Sequence, residues 1–369
     1  MTGGAHDPIT LHAAGVQAFR AGDLAAAANL IAEAIAADGR KPDFHYNLAI
    51  VLKAGGKLTE AAASYQRAIA LKPDYADAHN NLGNIWKSLG ETDKARASFE
   101  QALRYRPDNA DTHYNLGILC SEAGAREEAA RHYGRCLECD PEDSHGVRIL
   151  LAHLGQGTTP ERTSQAQLEK IYDVRARFWD LESTYFAHRL VADALKRHAG
   201  RGGLDILDLG CGTGLAGAQI RPMARRLDGI DISPAMLEKA AAKSVYDRLE
   251  QADILTFLST HGDTYDAVTA AAVLIHFGDL RALFRAAAGS LRDGGQFVFT
   301  LFLNQTDADF AVASSDKLAQ SGCFAHGPGH VERLAGESGF SVRLLDQVIH
   351  ERDQDGNPVS GLLAVLQKA

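Results

Sequence analysis

No run of the chain approaches the roughly eighteen consecutive apolar residues that a membrane-spanning helix needs. The opening residues, MTGGAHDPIT, hold neither a basic stretch nor an apolar one, so neither a leader nor an anchor is expected and the chain is placed in the cytoplasm. Cations are also in short supply. Lys and Arg number 38 against 47 Asp and Glu, and a net charge of -9 argues against a general binder of nucleic acid or of anionic membranes. Cysteine is scarce, and its count of five is odd, which excludes a disulfide framework and fits reduced thiols. His132, Cys136 and Cys139, with Cys120 nearby in sequence, invite a zinc reading. Their spacing runs along one helix, however, and Cys136 takes a small-residue position, so buried structural cysteine and no metal are expected. What remains is an ordinary globular composition, 46% apolar and 23% charged, in 369 residues, a length that implies two domains.

The first part of the chain repeats itself every 34 residues. Copies starting at Pro42, Ala76 and Ala110 each carry a Leu before a small residue (Leu48-Ala49, Leu82-Gly83, Leu116-Gly117). A turn glycine follows (Gly56, Gly90, Gly124), then an alanine and an aromatic four apart (Ala61/Tyr65, Ala95/Phe99, Ala129/Tyr133), then a closing proline (Pro73, Pro107, Pro141). A degenerate copy from about residue 8 to 41 keeps Gly15, Gly22, Ala27 and Ala34 but not the aromatic or the proline, as a capping unit would. The pattern resembles the tetratricopeptide repeat. It predicts pairs of antiparallel helices over 8–41, 42–75, 76–109 and 110–143, a capping helix over 144–155, and an aromatic filling the gap between neighbouring repeats. Asn47, Asn81 and Asn115 recur at one position. They resemble the inner-face ladder of the O-linked N-acetylglucosamine transferases, which implies a peptide or protein partner held on the concave face.

After a polar linker over 156–166, strands and helices alternate from 167 to 369. The reading gives helices over 167–180, 185–198, 215–223, 235–243, 280–291 and 330–338. Strands fall over 204–209, 226–230, 248–251, 265–271, 296–303, 341–350 and 361–366. This is a doubly wound, mostly parallel seven-stranded α/β sheet, with a ligand at the carboxyl ends of its strands.

The turn DLGCGTG, residues 208–214, contains two glycine registers, one of them the dinucleotide fingerprint ending at Gly217. Asp231, at the end of the second strand, serves either. Asp208 before the turn, Asp253 after the third strand and the turn LRDGG over 291–295 favour the other register. On these residues the domain resembles the class I S-adenosylmethionine-dependent methyltransferases, and the whole chain resembles bacterial predicted methyltransferases that carry tetratricopeptide repeats.

The resemblance implies S-adenosylmethionine as cofactor and assigns roles. Asp208 would reach the methionine ammonium through water. Gly210, Cys211, Gly212 and Gly214 would lie against the methionine and sugar, and Asp231 would accept from the ribose hydroxyls. Ile232, Met236, Asp253 and Ile254 would hold the adenine, with Tyr172 and Tyr185 near the methionine carboxylate. Relatives often place an acidic residue at Ala272 and an aromatic at His276, so His276 and His326 are the candidate bases. Three functions are in view: methyl transfer to a peptide or protein delivered by the repeats, methyl transfer to a small molecule with the repeats as scaffold, and a non-catalytic adaptor that binds the cofactor.

Overall fold

The computed structural model describes residues 7–181, 185–262, 264–306, 309–313, 321–353 and 355–369. The first six residues, on which part of the reading of the amino terminus rests, lie outside these. The chain forms two compact units, Met1–Pro141 and Glu142–Ala369.

The first unit is a series of helix pairs: α1 (Pro8–Arg20) with α2 (Leu24–Ala37), α3 (Pro42–Ala54) with α4 (Leu58–Leu71), α5 (Ala76–Ser88) with α6 (Thr92–Tyr105), and α7 (Ala110–Glu122) with α8 (Arg126–Cys139). Each inner turn ends on a left-handed glycine, with φ of 85°, 74°, 77° and 75° at Gly22, Gly56, Gly90 and Gly124, a conformation that a Cβ would penalise. The aromatics of the second helices are fully buried, and, as expected, Tyr65 and Phe99 pack against the following repeat, Tyr65 in one core with Ala78, Leu82 and Ile85 and Phe99 in one with Leu116 and Leu119. Phe99 and Tyr133 also lie across the glycine of the first helix of their own repeat. A Cβ on Gly83 would come within 2.5 Å of the Phe99 ring, and one on Gly117 within 2.4 Å of Tyr133. Ile31 takes that place in the degenerate first repeat, 2.6 Å from where a Gly15 Cβ would be.

The asparagine row joins one repeat to the next. Asn47 Nδ2 lies 2.8 Å from His12 Nε2, Asn81 Nδ2 donates to Tyr46 Oη at 2.9 Å, and Asn115 Nδ2 donates to Asn80 Oδ1 at 3.0 Å. Each partner sits 35 residues earlier on the preceding repeat's first helix. One N–H of each amide that a peptide ladder would offer is thus committed inside the solenoid.

The second unit opens with α9 (Val147–His153). This helix, expected to cap the repeats, belongs instead to the second unit. Asp143 accepts from Val147 N at 2.6 Å, Ser164 Oγ donates to Asp143 O at 2.6 Å, and Gly146 lies against the Gln167 side chain. The expected linker is likewise part of the fold: Thr163 N donates to His276 O at 2.9 Å, and Gly278 N donates to Glu161 O at 2.7 Å. Then come α10 (Gln165–Arg175), α11 (Ala187–His198), β1 (Leu204–Leu209), α12 (Leu215–Ile220), β2 (Ala224–Asp231), α13 (Pro234–Ala242) and β3 (Arg248–Gln251). The chain continues with α14 (Ile254–Ser259), β4 (Tyr265–Ala270), α15 (Arg281–Ser290), β5 (Leu291–Leu303), β6 (Phe310–Val312), β7 (Phe324–His326), α16 (Pro328–Glu337), β8 (Phe340–Arg352) and β9 (Pro358–Lys368).

Strands β3-β2-β1-β4-β5 run parallel in that order, with β9 antiparallel to β5 and β8 antiparallel to β9. The described sheet has nine strands where seven were read. β6 and β7, of three residues each, are too short to show a period. Alternate residues feed two cores. Leu207, Leu209, Val268, Phe297 and Phe299 meet α14, α15 and α16 on one face, while Leu204, Ile206, Ala267 and Val298 meet α11 and α12 on the other. The order 1-4 at the centre of the sheet makes a switch point, and the carboxyl ends of β1 and β4 open a cleft there.

Candidate active site

The chain leaves β1 through three left-handed glycines, Gly210, Gly212 and Gly214, with φ of 59°, 56° and 87°. They serve different ends. A Cβ on Gly210 would sit 2.4 Å from Val273 Cγ2, so this glycine lets the turn after β4 close on it, whereas a Cβ on Gly212 would meet nothing within 4 Å. Gly212 is the one that keeps backbone open to the cleft. Its amide donates to Asp231 Oδ2 at 2.9 Å, and Ser233 N donates to Oδ1 at 2.9 Å, which fixes the carboxylate at the end of β2. Burial raises Asp231 to about 6 against the pull of these amides.

Cys211, Gly210, Ile232, Met236, Asp253, Ile254, Tyr172 and Tyr185 all line this same cleft of about 940 Å³, mouth included. Asp253 caps α14 by accepting from Thr256 N at 3.1 Å and takes Arg162 on its other oxygen at 2.7 Å. Arg162 and Thr163, in the stretch read as linker, and Leu168 and Trp179 are wall residues that the sequence does not announce.

Part of the cleft wall is aromatic. Tyr172 lies edge-on to Trp179 at 5.8 Å and to His276 at 5.6 Å, and Trp179 is 5.3 Å from Tyr185. His276 Nδ1 faces Gly322 O at 3.0 Å. A carbonyl only accepts, so Nδ1 carries the proton and Nε2 accepts from Tyr172 Oη at 2.7 Å. Burial holds this imidazole down at about 4 and therefore neutral. Tyr185 donates to Ala271 O at 3.1 Å, and Ala272 beside it holds a left-handed φ of 57° that is uncommon for a residue with a Cβ. His188, stacked on Tyr185 at 5.1 Å, lines the cleft with a buried Nδ1 that has no hydrogen-bond partner among the described residues.

With this geometry in view, the similarity to known proteins becomes informative. Residues 207–297 match the family described as a methyltransferase domain, and residues 51–89 and 83–124 match the tetratricopeptide repeat. The chain carries tetratricopeptide repeats and a methyltransferase domain. Over 159 residues it is 30% identical to the ubiquinone biosynthesis O-methyltransferase of Xanthomonas axonopodis pv. citri (strain 306), a match covering 40% of this chain and 65% of that one. The enzyme of the same name from Vibrio parahaemolyticus serotype O3:K6 is 26% identical over 171 residues, which cover 44% of this chain and 73% of that one. The first of these relatives is thus matched over less than two thirds of its length. A solved Burkholderia thailandensis 1,6-didemethyltoxoflavin-N1-methyltransferase, with its substrate and S-adenosylhomocysteine bound, is 17% identical and covers 56% of this chain and 87% of its own, with a TM-score of 0.45. S-adenosylmethionine is the cofactor that such a domain takes.

Three expectations for the methyltransferase domain change. Asp208 does not reach the cleft. It is 1% exposed and accepts from Tyr246 Oη at 2.7 Å and Thr269 Oγ1 at 2.8 Å, which makes it part of the core beneath the glycine turn. Gly214 also lies away from the cleft wall, 3.1 Å from Tyr246 at its would-be Cβ. His326, on β7, is fully buried and donates through Nε2 to Phe277 O at 2.8 Å, so it faces protein and not a substrate. Only His276 of the two candidate bases borders the cleft.

Burial also raises Asp208 to about 6, from an ordinary 3.8. The folded chain therefore holds protons on Asp208 and Asp231 more tightly than the unfolded chain does, and stability falls as pH rises from about 4 to about 6. Asp208→Asn is expected to remove about 3 kcal/mol of that fall. Urea unfolding at several pH values between about 4 and 7 checks it. An unchanged pH slope in the variant would exclude the assignment.

Proposed function

We propose that the methyltransferase domain moves a methyl group from S-adenosylmethionine to a small acceptor seated among Tyr172, Trp179 and His276. The observation that carries this reading is that one cleft holds both a fixed, buried carboxylate at Asp231 and this aromatic group. The cofactor, when bound, supplies a methyl on a sulfonium for in-line displacement. The residues present fit it. Asp231 keeps lone pairs for two ribose hydroxyls, Gly212 leaves space beside its backbone, and Ile232, Met236 and Ile254 offer an apolar wall to the adenine, with Asp253 for its amino group. The unpartnered His188 Nδ1 is a further polar contact for the bound molecule.

Tyr172 and His276 act on the acceptor. Because the phenol proton is committed to His276 Nε2, the phenol oxygen is left to accept a hydrogen bond from an O–H or N–H on the acceptor. A neutral His276 orients this oxygen and does not store charge, and the proton that the acceptor loses on methylation passes to solvent. The relatives' names, O-methyltransferases of ubiquinone biosynthesis, favour a small acceptor and oxygen as its nucleophilic atom.

A peptide acceptor carried by the repeats is the second reading. The recurrence of Asn47, Asn81 and Asn115, whose carbonyl oxygens are not used in the inter-repeat bonds, favours it. Incubating the full chain with methyl-labelled cofactor and lysate separates the two. Label in a small-molecule fraction, lost in Tyr172→Phe, supports the first reading. Label confined to polypeptide, and lost on deleting residues 1–141, replaces it with the second.

A further inference from the structure

The fourth repeat joins Glu128, which the spacing did not single out, to Cys120 and His132. Cys120 on α7 and Glu128 and His132 on α8 place one sulfur, one carboxylate oxygen and one ring nitrogen within 4.8 Å of one another. Glu128 and His132 are four residues apart and share one helix face, and Cys120 faces them from the partner helix. This is not the group that spacing suggested. Cys136 and Cys139 are not among the three.

The hydrogen bonds around His132 fix which of its ring nitrogens can ligate. His113 Nε2 faces Pro107 O at 3.0 Å and therefore carries a proton, which leaves His113 Nδ1 as an acceptor. His132 Nδ1, 3.2 Å away, must then be the donor, and His132 Nε2 holds the free lone pair. A histidine whose second nitrogen donates to a fixed acceptor is the usual arrangement around a bound metal. The same pocket now holds a cation of another kind: Arg96, reaching from α6, donates to Glu128 Oε1 at 2.7 Å and to Cys120 Sγ at 3.5 Å. Its side chain is 31% exposed, so it has a path outward.

The geometry points to a binding site for a single Zn²⁺-like divalent cation at Cys120, Glu128 and His132, with Arg96 as the charge it displaces. Thiolate, carboxylate and imidazole form a ligand set that suits zinc, and two anionic ligands balance its charge. Ligands about 2.0–2.3 Å from zinc lie roughly 3.3–3.8 Å apart, so atoms already within 4.8 Å of one another need to draw in by at most about 1.5 Å. On binding, the Cys120 S–H bond breaks, its proton passes to the buffer, and metal–S, metal–N and metal–O bonds replace aqua ligands, with water completing the shell. No electron is transferred. The exchange would trade the Arg96–Glu128 ion pair between the third and fourth repeats for a clasp within the fourth.

Titrating the reduced, metal-free full chain with Co²⁺ and then Zn²⁺ tests this. The expected result is one equivalent bound, a thiolate-to-cobalt charge-transfer band that Zn²⁺ bleaches, and release of about one proton. Cys120→Ala should abolish the band, and Glu128→Gln, on a partly exposed side chain, should weaken Zn²⁺ binding by at least about tenfold. Arg96→Gln should tighten it, and Cys139→Ala should leave it unchanged. Circular dichroism confirms that each variant is folded. Absence of the band in the wild type, its survival in Cys120→Ala, or weaker binding in Arg96→Gln would each overturn the proposal.

Discussion

Asp231→Ala is expected to weaken S-adenosylmethionine binding by two to three orders of magnitude, about 3–4 kcal/mol, because two hydrogen bonds to an ionised carboxylate are lost together. The carboxylate is held by the amides of Gly212 and Ser233, so it loses little entropy on binding and has no second position to adopt. Its elevated pKa of about 6 adds a pH signature. The ionised form is the one that accepts from both hydroxyls, so affinity should decline below about pH 6, where binding must also expel a proton. Calorimetry in buffers of different ionisation enthalpy reads both effects, with S-adenosylhomocysteine as a second ligand. Affinity in the variant within a few-fold of wild type would remove Asp231 from the site.

The second large effect is expected from a glycine that touches no ligand. A Cβ on Gly217 would stand 2.2 Å from Tyr246 Oη and 2.3 Å from its Cζ. Gly217→Ala must therefore expel the ring, and with it the hydroxyl that donates to Asp208. A carboxylate at 1% exposure then keeps only Thr269. Overpacking and the lost donor together should cost about 3–5 kcal/mol, against which the gain of about 1 kcal/mol from alanine in a helix is small. A double-mutant cycle isolates the cause. In a Tyr246→Ala background the same substitution should be neutral or slightly stabilising, measured by urea unfolding. Equal losses in both backgrounds would show that the ring is not what Gly217 accommodates.

These two positions also mark where the sequence was legible. Periodic features were plain: turn glycines every 34 residues, alternating strands, and a carboxylate closing the second strand all repeat or sit at fixed offsets from a turn. Asp208 was misplaced because its partner is Tyr246, 38 residues away and outside any helix or strand, and nothing local to either residue announces the pairing. The same reason hid His188 and Arg162, which reach the cleft by tertiary packing alone. His326 was assigned as a base on resemblance alone, and β7 pairs with β5 and draws it into the core. The asparagine row was visible, but the residues it bonds to lie one repeat back and differ in type: histidine, tyrosine and asparagine.

The strap of residues 161–163, paired to residues 276–278, has a practical corollary for exchanging parts between proteins. A graft that took residue 167 as the first of the transferase would discard Arg162 and Thr163, both cleft walls, and part the Gln167 side chain from Gly146, against which it lies. The seam at which repeats can be swapped without opening the cleft lies upstream, between Pro141 and Glu142. Recombination, natural or engineered, would be tolerated there and penalised about twenty residues later.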